Sequence, residues 1–139
     1  MKKYFLLALI ASSLYAQDTR IEVTYPPELK KETLSHMREY LTIVQQITEA
    51  LSKYDFEKAA KLAEENLGMS SMKKHGAKKA AKYMPKGMKM AGFMLHKSAS
   101  EFATLASVSD KEDMADVLQA FSKVTASCVA CYAGYKFII

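Results

Sequence analysis

Apolar side chains recur at alternating intervals of three and four residues along four long stretches of the chain, with polar side chains between them. In an α-helix this spacing places the apolar side chains on one face. The pattern therefore predicts four amphipathic helices whose apolar faces share a core. They are expected over residues 28–52, 56–67, 85–106 and 109–136, with a shorter helix over 72–83 between the second and the third.

The ends of these stretches carry residues that commonly start or stop a helix. Pro27 suits the first turn of the first helix, and Asp55 is a candidate N-cap for the second. Pro85 closes the segment before the third helix. Ser109 and Glu112 have the spacing of a capping box and are expected to open the fourth. Four helices with short connections predict an all-α protein, built as an antiparallel four-helix bundle.

Composition agrees with one helical domain. The chain has 139 residues, 50% of them hydrophobic, with only 5 Gly and 3 Pro, and this length suits a single domain. Lys and Arg number 20 against 15 Asp and Glu, and many lysines fall between Lys73 and Lys89. Aromatic side chains are not interleaved with them, so nucleic-acid binding is not predicted. The lysines form either a solvated face or a docking surface for an acidic redox partner.

Residues 1–16 have the layout of a secretory signal peptide. Lys2 and Lys3 precede a short apolar run that ends before Ala16, the predicted cleavage point. The run is too short to span a bilayer comfortably, so no stable membrane span is expected. Residues 17–27 are then an extended leader, residues 28–139 form the bundle domain, and the mature protein is expected in the periplasm.

Both cysteines of the chain lie near its C-terminal end, in the sequence Cys128-Val129-Ala130-Cys131. They continue the apolar face of the fourth predicted helix, so both sulfurs are expected to face the interior. Cys-x-x-Cys followed by His is the attachment signature of c-type haem, in which the two thiols join the vinyl groups and the imidazole binds iron. A redox-active dithiol, a disulfide and two buried thiols are the alternatives.

The segment from Cys128 to Lys136 resembles the C-terminal motif of the class II c-type cytochromes, the cytochrome c-prime family, which reads Cys-x-x-Cys-His-x-x-Tyr-Arg/Lys. In this chain Tyr132 stands where that His would be, while Tyr135 and Lys136 match. The resemblance extends upstream through residues 68–72, 75–77, 83–88 and 96–103. It implies a four-helix bundle that binds haem c, with its iron, covalently at Cys128 and Cys131. The implied role is not enzymatic: electron transfer to a periplasmic redox partner, as a monomer or a homodimer.

The motif does not identify an axial ligand of the iron in this chain, because Tyr132 replaces the histidine. Tyr132 is a candidate because a phenolate can bind haem iron. A phenolate requires ferric iron, since the ordinary pKa of Tyr is about 10, so a Tyr-bound haem is expected to have a low reduction potential. The alternative is that Tyr132 only packs. Met37 is the candidate sixth ligand; if it only packs, the iron keeps an open side, as in five-coordinate gas-binding members of the family.

A second set of soft ligands suggests periplasmic copper(I) binding as a competing function. It comprises Met69, Met72, Met84, Met88, Met90 and Met94 with His75 and His96. His96 is also a candidate substitute ligand for haem iron, whereas His36 shows no paired metal-ligand spacing. The remaining alternative is a haem-free bundle, with or without a disulfide, that binds a partner. Hydrolase motifs are not found in the sequence, so an enzyme is not predicted.

Overall fold

A computed structural model describes residues 18–73 and 77–138 of the chain. The described residues are mostly helical, so the all-α prediction is confirmed. The elements, in chain order, are strand β1 (Ile21–Val23), helices α1 (Pro27–Ser52) and α2 (Phe56–Asn66), a 3-10 helix (Met69–Lys73), helices α3 (Ala77–Ala80), α4 (Lys86–Ala106) and α5 (Met114–Gly134), and strand β2 (Tyr135–Phe137). The proposed signal peptide and His75 lie outside the described residues.

The predicted starts of the first three long helices are confirmed, because each depends on a local signal. Pro27 occupies the first turn of α1, and Pro85 precedes α4. The side chain of Asp55 caps α2 by accepting a hydrogen bond of 3.1 Å from the backbone N–H of Lys58. These signals act within one turn of the chain, so the sequence alone predicts them.

The predicted capping box of the last helix is wrong. Helix α5 begins at Met114, and Asp113 at its N-cap makes no side-chain cap hydrogen bond. The hydroxyl of Ser109 instead donates to the backbone carbonyl of Leu105, at 2.9 Å, and so satisfies the end of the preceding helix α4. The hydroxyl that the capping box required is therefore used elsewhere.

The last helix also ends two residues earlier than expected, because the chain changes conformation at Tyr135. This residue is extended (φ −135°, ψ 149°) and starts β2. β2 pairs in parallel with β1, with Ile21 opposite Tyr135 and Val23 opposite Phe137. The leader, expected to be extended, therefore supplies one strand of a small sheet that joins the first and last described elements.

The hydrophobic core lies where four helices meet. Helix α4 packs against α5 and α2, and α2 packs against α1. Ile47, Leu67, Phe102, Val117 and Val124 are fully buried there. Small residues of α2 such as Ala59 and Ala63 let the neighbouring helices approach closely.

The N-terminal half of α1 is packed less tightly than its C-terminal half. Leu41 in the N-terminal half is 53% exposed, whereas Ile47 and Leu51 further along the helix are buried. A second, smaller core around Val23, Tyr25 and Met88 lies beside the strands. Between the two cores the helices separate and leave a cavity. None of the helices in the described ranges combines the length and hydrophobicity that crossing a bilayer requires.

Candidate functional site

The two cysteines face a cavity bounded by α1, α4 and the C-terminal half of α5. Its volume is about 170 Å³, and it is half open to solvent. The lining is largely apolar and includes both thiols, Tyr132 and Met37, so the structure brings together all four site residues that the sequence predicted. The other lining residues are Thr33, His36, Tyr40, Leu41, Ala80, Met84, Met88, Gly92, Leu95 and His96.

A second space of about 220 Å³ adjoins the cavity. The two share Met37, Met88, Cys131 and Tyr132 in their linings. Because four residues line both spaces, the two are neighbours, and their combined volume reaches that of small-molecule sites, about 300 Å³ or more.

The second space is lined by three cationic side chains, those of Arg20, Lys30 and Lys136. Lys136 lies 3.2 Å from a carboxylate oxygen of Glu22 and 3.6 Å from one of Asp18. Lys30 donates a hydrogen bond of 3.2 Å to the backbone carbonyl of Ile138. Lining cations outnumber the neighbouring carboxylates, so this side of the site favours an anionic group on a ligand.

Both cysteines are free thiols and partly buried. Burial raises the pKa of the Cys128 thiol, and burial together with the nearby Cys128 raises the pKa of Cys131. Both thiols are thus protonated at neutral pH. A redox-active dithiol needs the opposite, a thiol pKa lowered by a helix N-terminus or a neighbouring cation. The environment of the pair disfavours that alternative.

Tyr132 lies at the mouth of the cavity and is 47% exposed. Burial of part of the ring, followed by the two neighbouring cysteines, raises its pKa above the ordinary value. The phenol is therefore neutral at physiological pH unless a cation lies against its oxygen. Its backbone carbonyl accepts a hydrogen bond of 3.4 Å from the Arg20 guanidinium.

Three of the chain's methionines line the site, and they come from different parts of the fold. Met37 projects from α1, Met84 precedes α4, and Met88 lies in the first turns of α4. Met90 and Met94 of the predicted copper(I) set are exposed and are not part of this lining. In the described part of the chain, no three His, Cys, Asp or Glu side chains lie close enough together to hold a metal ion.

His96 and Tyr40 form the inner wall of the cavity. His96 is buried, and its Nδ1 lies 2.8 Å from the backbone carbonyl oxygen of Leu67. The rings of His96 and Tyr40 meet edge to face, with centroids 6.5 Å apart. Burial raises the pKa of Tyr40 to about 12, with smaller contributions from Glu39 and Cys128. Tyr40 therefore stays neutral beside the thiols.

Cys131 packs against a small core that contains a cluster of aromatic rings. Tyr25 packs against Tyr83 and Phe137, with ring centroids 5.8 and 5.0 Å apart. The Tyr25 hydroxyl is sealed from solvent and has no hydrogen-bond partner among the described residues. Burial, with a smaller contribution from Cys131, raises the pKa of Tyr25 to about 12. An uncharged hydroxyl without a partner thus lies next to one of the two thiols.

The residues present fit a c-type haem. Such a haem needs two thiols facing an apolar space, a side chain that can bind iron, and a cationic edge for its carboxylates. Cys128 and Cys131 meet the first requirement, and Met37, Tyr132 and His96 offer donors for the second. The cationic side of the second space meets the third.

Comparisons of this chain with protein-family models, with curated proteins and with solved structures found no match.

Several lining residues were not identified from the sequence. Thr33, Tyr40 and Leu41 lie one turn before or after Met37, so helical spacing from that methionine would have found them. Arg20 carried no such signal, because it reaches the site only through the pairing of β1 with β2. The cationic side of the site is therefore a product of the tertiary structure.

Proposed function

We propose that this chain is a periplasmic c-type cytochrome that binds haem c covalently through Cys128 and Cys131 and serves in electron transfer. The observation that carries the proposal is the position of the two thiols: both line one apolar, half-open cavity. Two free thiols held on one face of a helix are what thioether attachment to two vinyl groups requires.

The fold proposed with this function is an antiparallel four-helix bundle formed by α1, α2, α4 and α5. Its support is the single core to which all four helices contribute. In bundles of this kind, cofactor sites are built from side chains on facing helices. The cavity fits that scheme, since α1, α4 and α5 all contribute lining residues.

When bound, haem supplies one-electron redox chemistry. The residues of the chain provide the surroundings of the bound haem. The apolar lining keeps water from the bound group and so shapes its reduction potential. Met37 holds a thioether donor toward the site, and Arg20, Lys30 and Lys136 offset negative charge on the ligand.

The exposed lysines of the segment before α4 and of its first turns suit an acidic redox partner. Lys78, Lys79, Lys82, Lys86 and Lys89 are all exposed. Like charges on one surface accelerate encounter with an oppositely charged protein at low salt. Electron transfer to such a partner is therefore expected to slow as ionic strength rises.

The test is to produce the mature chain in a bacterial periplasm that contains the haem attachment machinery, and to record a pyridine haemochrome spectrum after denaturation. Wild type is expected to retain haem through denaturation. The variant with both Cys128→Ser and Cys131→Ser is the matched control and is expected to lose it. Tyr132→His is made in parallel, because it restores the family motif.

Covalent haem in wild type that is absent from the double Ser variant would support the proposal. Haem only in Tyr132→His would overturn it, because this chain would then have kept the bundle and lost the cofactor. A colourless wild type together with a colourless Tyr132→His would favour the haem-free alternative.

A further inference from the structure

His96 has the surroundings of a metal ligand. It lies in the middle of α4, is only 9% exposed, and lines the same cavity as the two thiols. Imidazole side chains are rarely buried without a reason, because the ring nitrogens need hydrogen-bond partners. The partners of its two ring nitrogens therefore decide whether His96 can bind a metal ion.

One nitrogen is held by the backbone. Nδ1 lies 2.8 Å from the carbonyl oxygen of Leu67, the C-cap residue of α2. A carbonyl oxygen only accepts, so Nδ1 carries the hydrogen and donates it. In the neutral ring the lone pair is then on Nε2.

The other nitrogen is available. Among the described residues, the contact of Nδ1 with the Leu67 carbonyl is the hydrogen bond found for this ring, and none is found for Nε2. His96 lines the cavity, so its ring borders the space that the two thiols also line.

This arrangement is the one that metal-binding histidines use. A ligating His almost always donates its other ring N–H to a backbone carbonyl, a carboxylate or water, which selects the tautomer and orients the ring. The edge-to-face contact with Tyr40 further restricts rotation of the His96 ring. The ring is thus oriented before any ligand binds.

We propose that His96, through Nε2, and not Tyr132, is the imidazole ligand that this chain offers to the iron of a haem bound in the cavity. The inference rests on the proposed function. It explains how a chain without the motif histidine can still bind haem iron through a nitrogen. Tyr132, by contrast, is about half exposed at the mouth of the cavity and must lose a proton before it can bind.

The deciding variant is His96→Asn. The Asn side-chain amide can still donate to the Leu67 carbonyl, so the contact that supports the end of α2 is retained while Nε2 is removed. His36→Asn is the matched control, because His36 lines the same cavity. Tyr132→Phe tests the competing ligand.

For each protein, covalent haem content is measured first, and then the visible and electron paramagnetic resonance spectra of the ferric form. His96→Asn is expected to keep its haem but to lose the nitrogen-ligated spectrum, and added imidazole is expected to restore it. His36→Asn and Tyr132→Phe are expected to give the spectrum of wild type.

A measurement on wild type alone guards against a variant that does not fold. Chains labelled with ¹⁵N only in histidine are expected to show coupling of the ferric electron spin to a histidine nitrogen. Absence of that coupling, or a spectrum altered by Tyr132→Phe but not by His96→Asn, would overturn the inference while leaving the haem proposal intact. Wild type without covalent haem would overturn both.

Discussion

The Tyr25 hydroxyl is buried beside Cys131 with no partner among the described residues. A polar group sealed in this way has given up its hydrogen bonds to water and gained none in return. Tyr83 and Phe137 contact the Tyr25 ring through their own rings.

Tyr25→Phe is therefore expected to stabilise the cofactor-free protein by about 1 kcal/mol, because it removes the unpaired hydroxyl and keeps the ring. Urea unfolding followed by circular dichroism measures the change. Tyr83→Phe is the control: its side chain is exposed, and the free energy of unfolding is expected to change by less than about 0.5 kcal/mol. A loss of stability in Tyr25→Phe would show that the hydroxyl is paired.

Gly87 owes its identity to a close contact with the C-terminal segment. A Cβ atom at this position would overlap the Tyr135 hydroxyl, whereas a Cβ at Gly92, closer to the middle of the same helix, would meet nothing. Glycine at position 87 thus lets the start of α4 lie directly against β2.

Gly87→Ala is expected to destabilise the cofactor-free protein by about 1 kcal/mol, because the end of the Tyr135 side chain must shift to make room for the added methyl group. In a Tyr135→Phe background the loss should largely disappear, because the overlapping oxygen is gone. Gly92→Ala, the matched control, is expected to stabilise by about 0.5 to 1 kcal/mol, since Ala favours a helix interior. Equal effects of Gly87→Ala in both backgrounds would contradict the assigned contact.

At the scale of elements, strand β1 pairs with β2, the strand that directly follows α5. Its pairing with β2 is reinforced by charge, because Lys136 lies between the carboxylates of Glu22 and Asp18. Hydrogen bonds from Arg20, and then the charges of Arg20 and Lys136, hold the pKa of the Asp18 carboxyl well below its usual range. Ionised Asp18 therefore supports the pairing of β1 with β2 through its contact with Lys136.

A carboxyl group whose pKa is lowered by folding stabilises the folded form above its unfolded pKa, about 3.9, and this stabilisation is lost as the pH falls below that value. Amide hydrogens of β1 are thus expected to exchange faster, relative to those of the core helices, at pH 2.5 than at pH 5. Nuclear magnetic resonance measures the exchange of each amide. In Asp18→Asn this pH dependence should be much reduced; an unchanged dependence would show that Asp18 is not the group responsible.

At the scale of the whole molecule, one end is tightly packed and the other is open. Phe102 is fully buried in the main core and lies against Phe121, with ring centroids 5.2 Å apart. At the open end, Met84 is only partly buried and borders the cavity. The main core is therefore expected to contribute more to stability than the partly open surroundings of the cavity.

Phe102→Ala is expected to reduce the free energy of unfolding by about 3 to 5 kcal/mol, because it leaves a cavity in a close-packed core. Met84→Ala, in contrast, is expected to cost about 1 kcal/mol or less, since its surroundings are already open. Chemical denaturation of the cofactor-free variants measures both changes. Similar losses in the two variants would mean that the two ends are packed alike.

The sequence by itself determined the helices and the common face of the two cysteines. Asp55, Pro27 and Pro85 act within a single helical turn, and helical hydrogen bonds join residues only four apart, so local patterns suffice to predict them. Residues 128 and 131 share a face for the same reason. The Ser109 hydroxyl could serve either the end of α4 or the start of α5, and the sequence pattern does not distinguish between these two partners.

Only the tertiary structure decided which helix faces are buried, where the cavity lies and what lines it. The pairing of β1 with β2, the cations that reach the site from Arg20 and Lys30, and the hydrogen bond from His96 to Leu67 all join residues far apart in the chain. Such contacts depend on how several helices pack at once. Helical periodicity cannot specify them, because the same apolar face can serve equally as core or as the wall of a binding site.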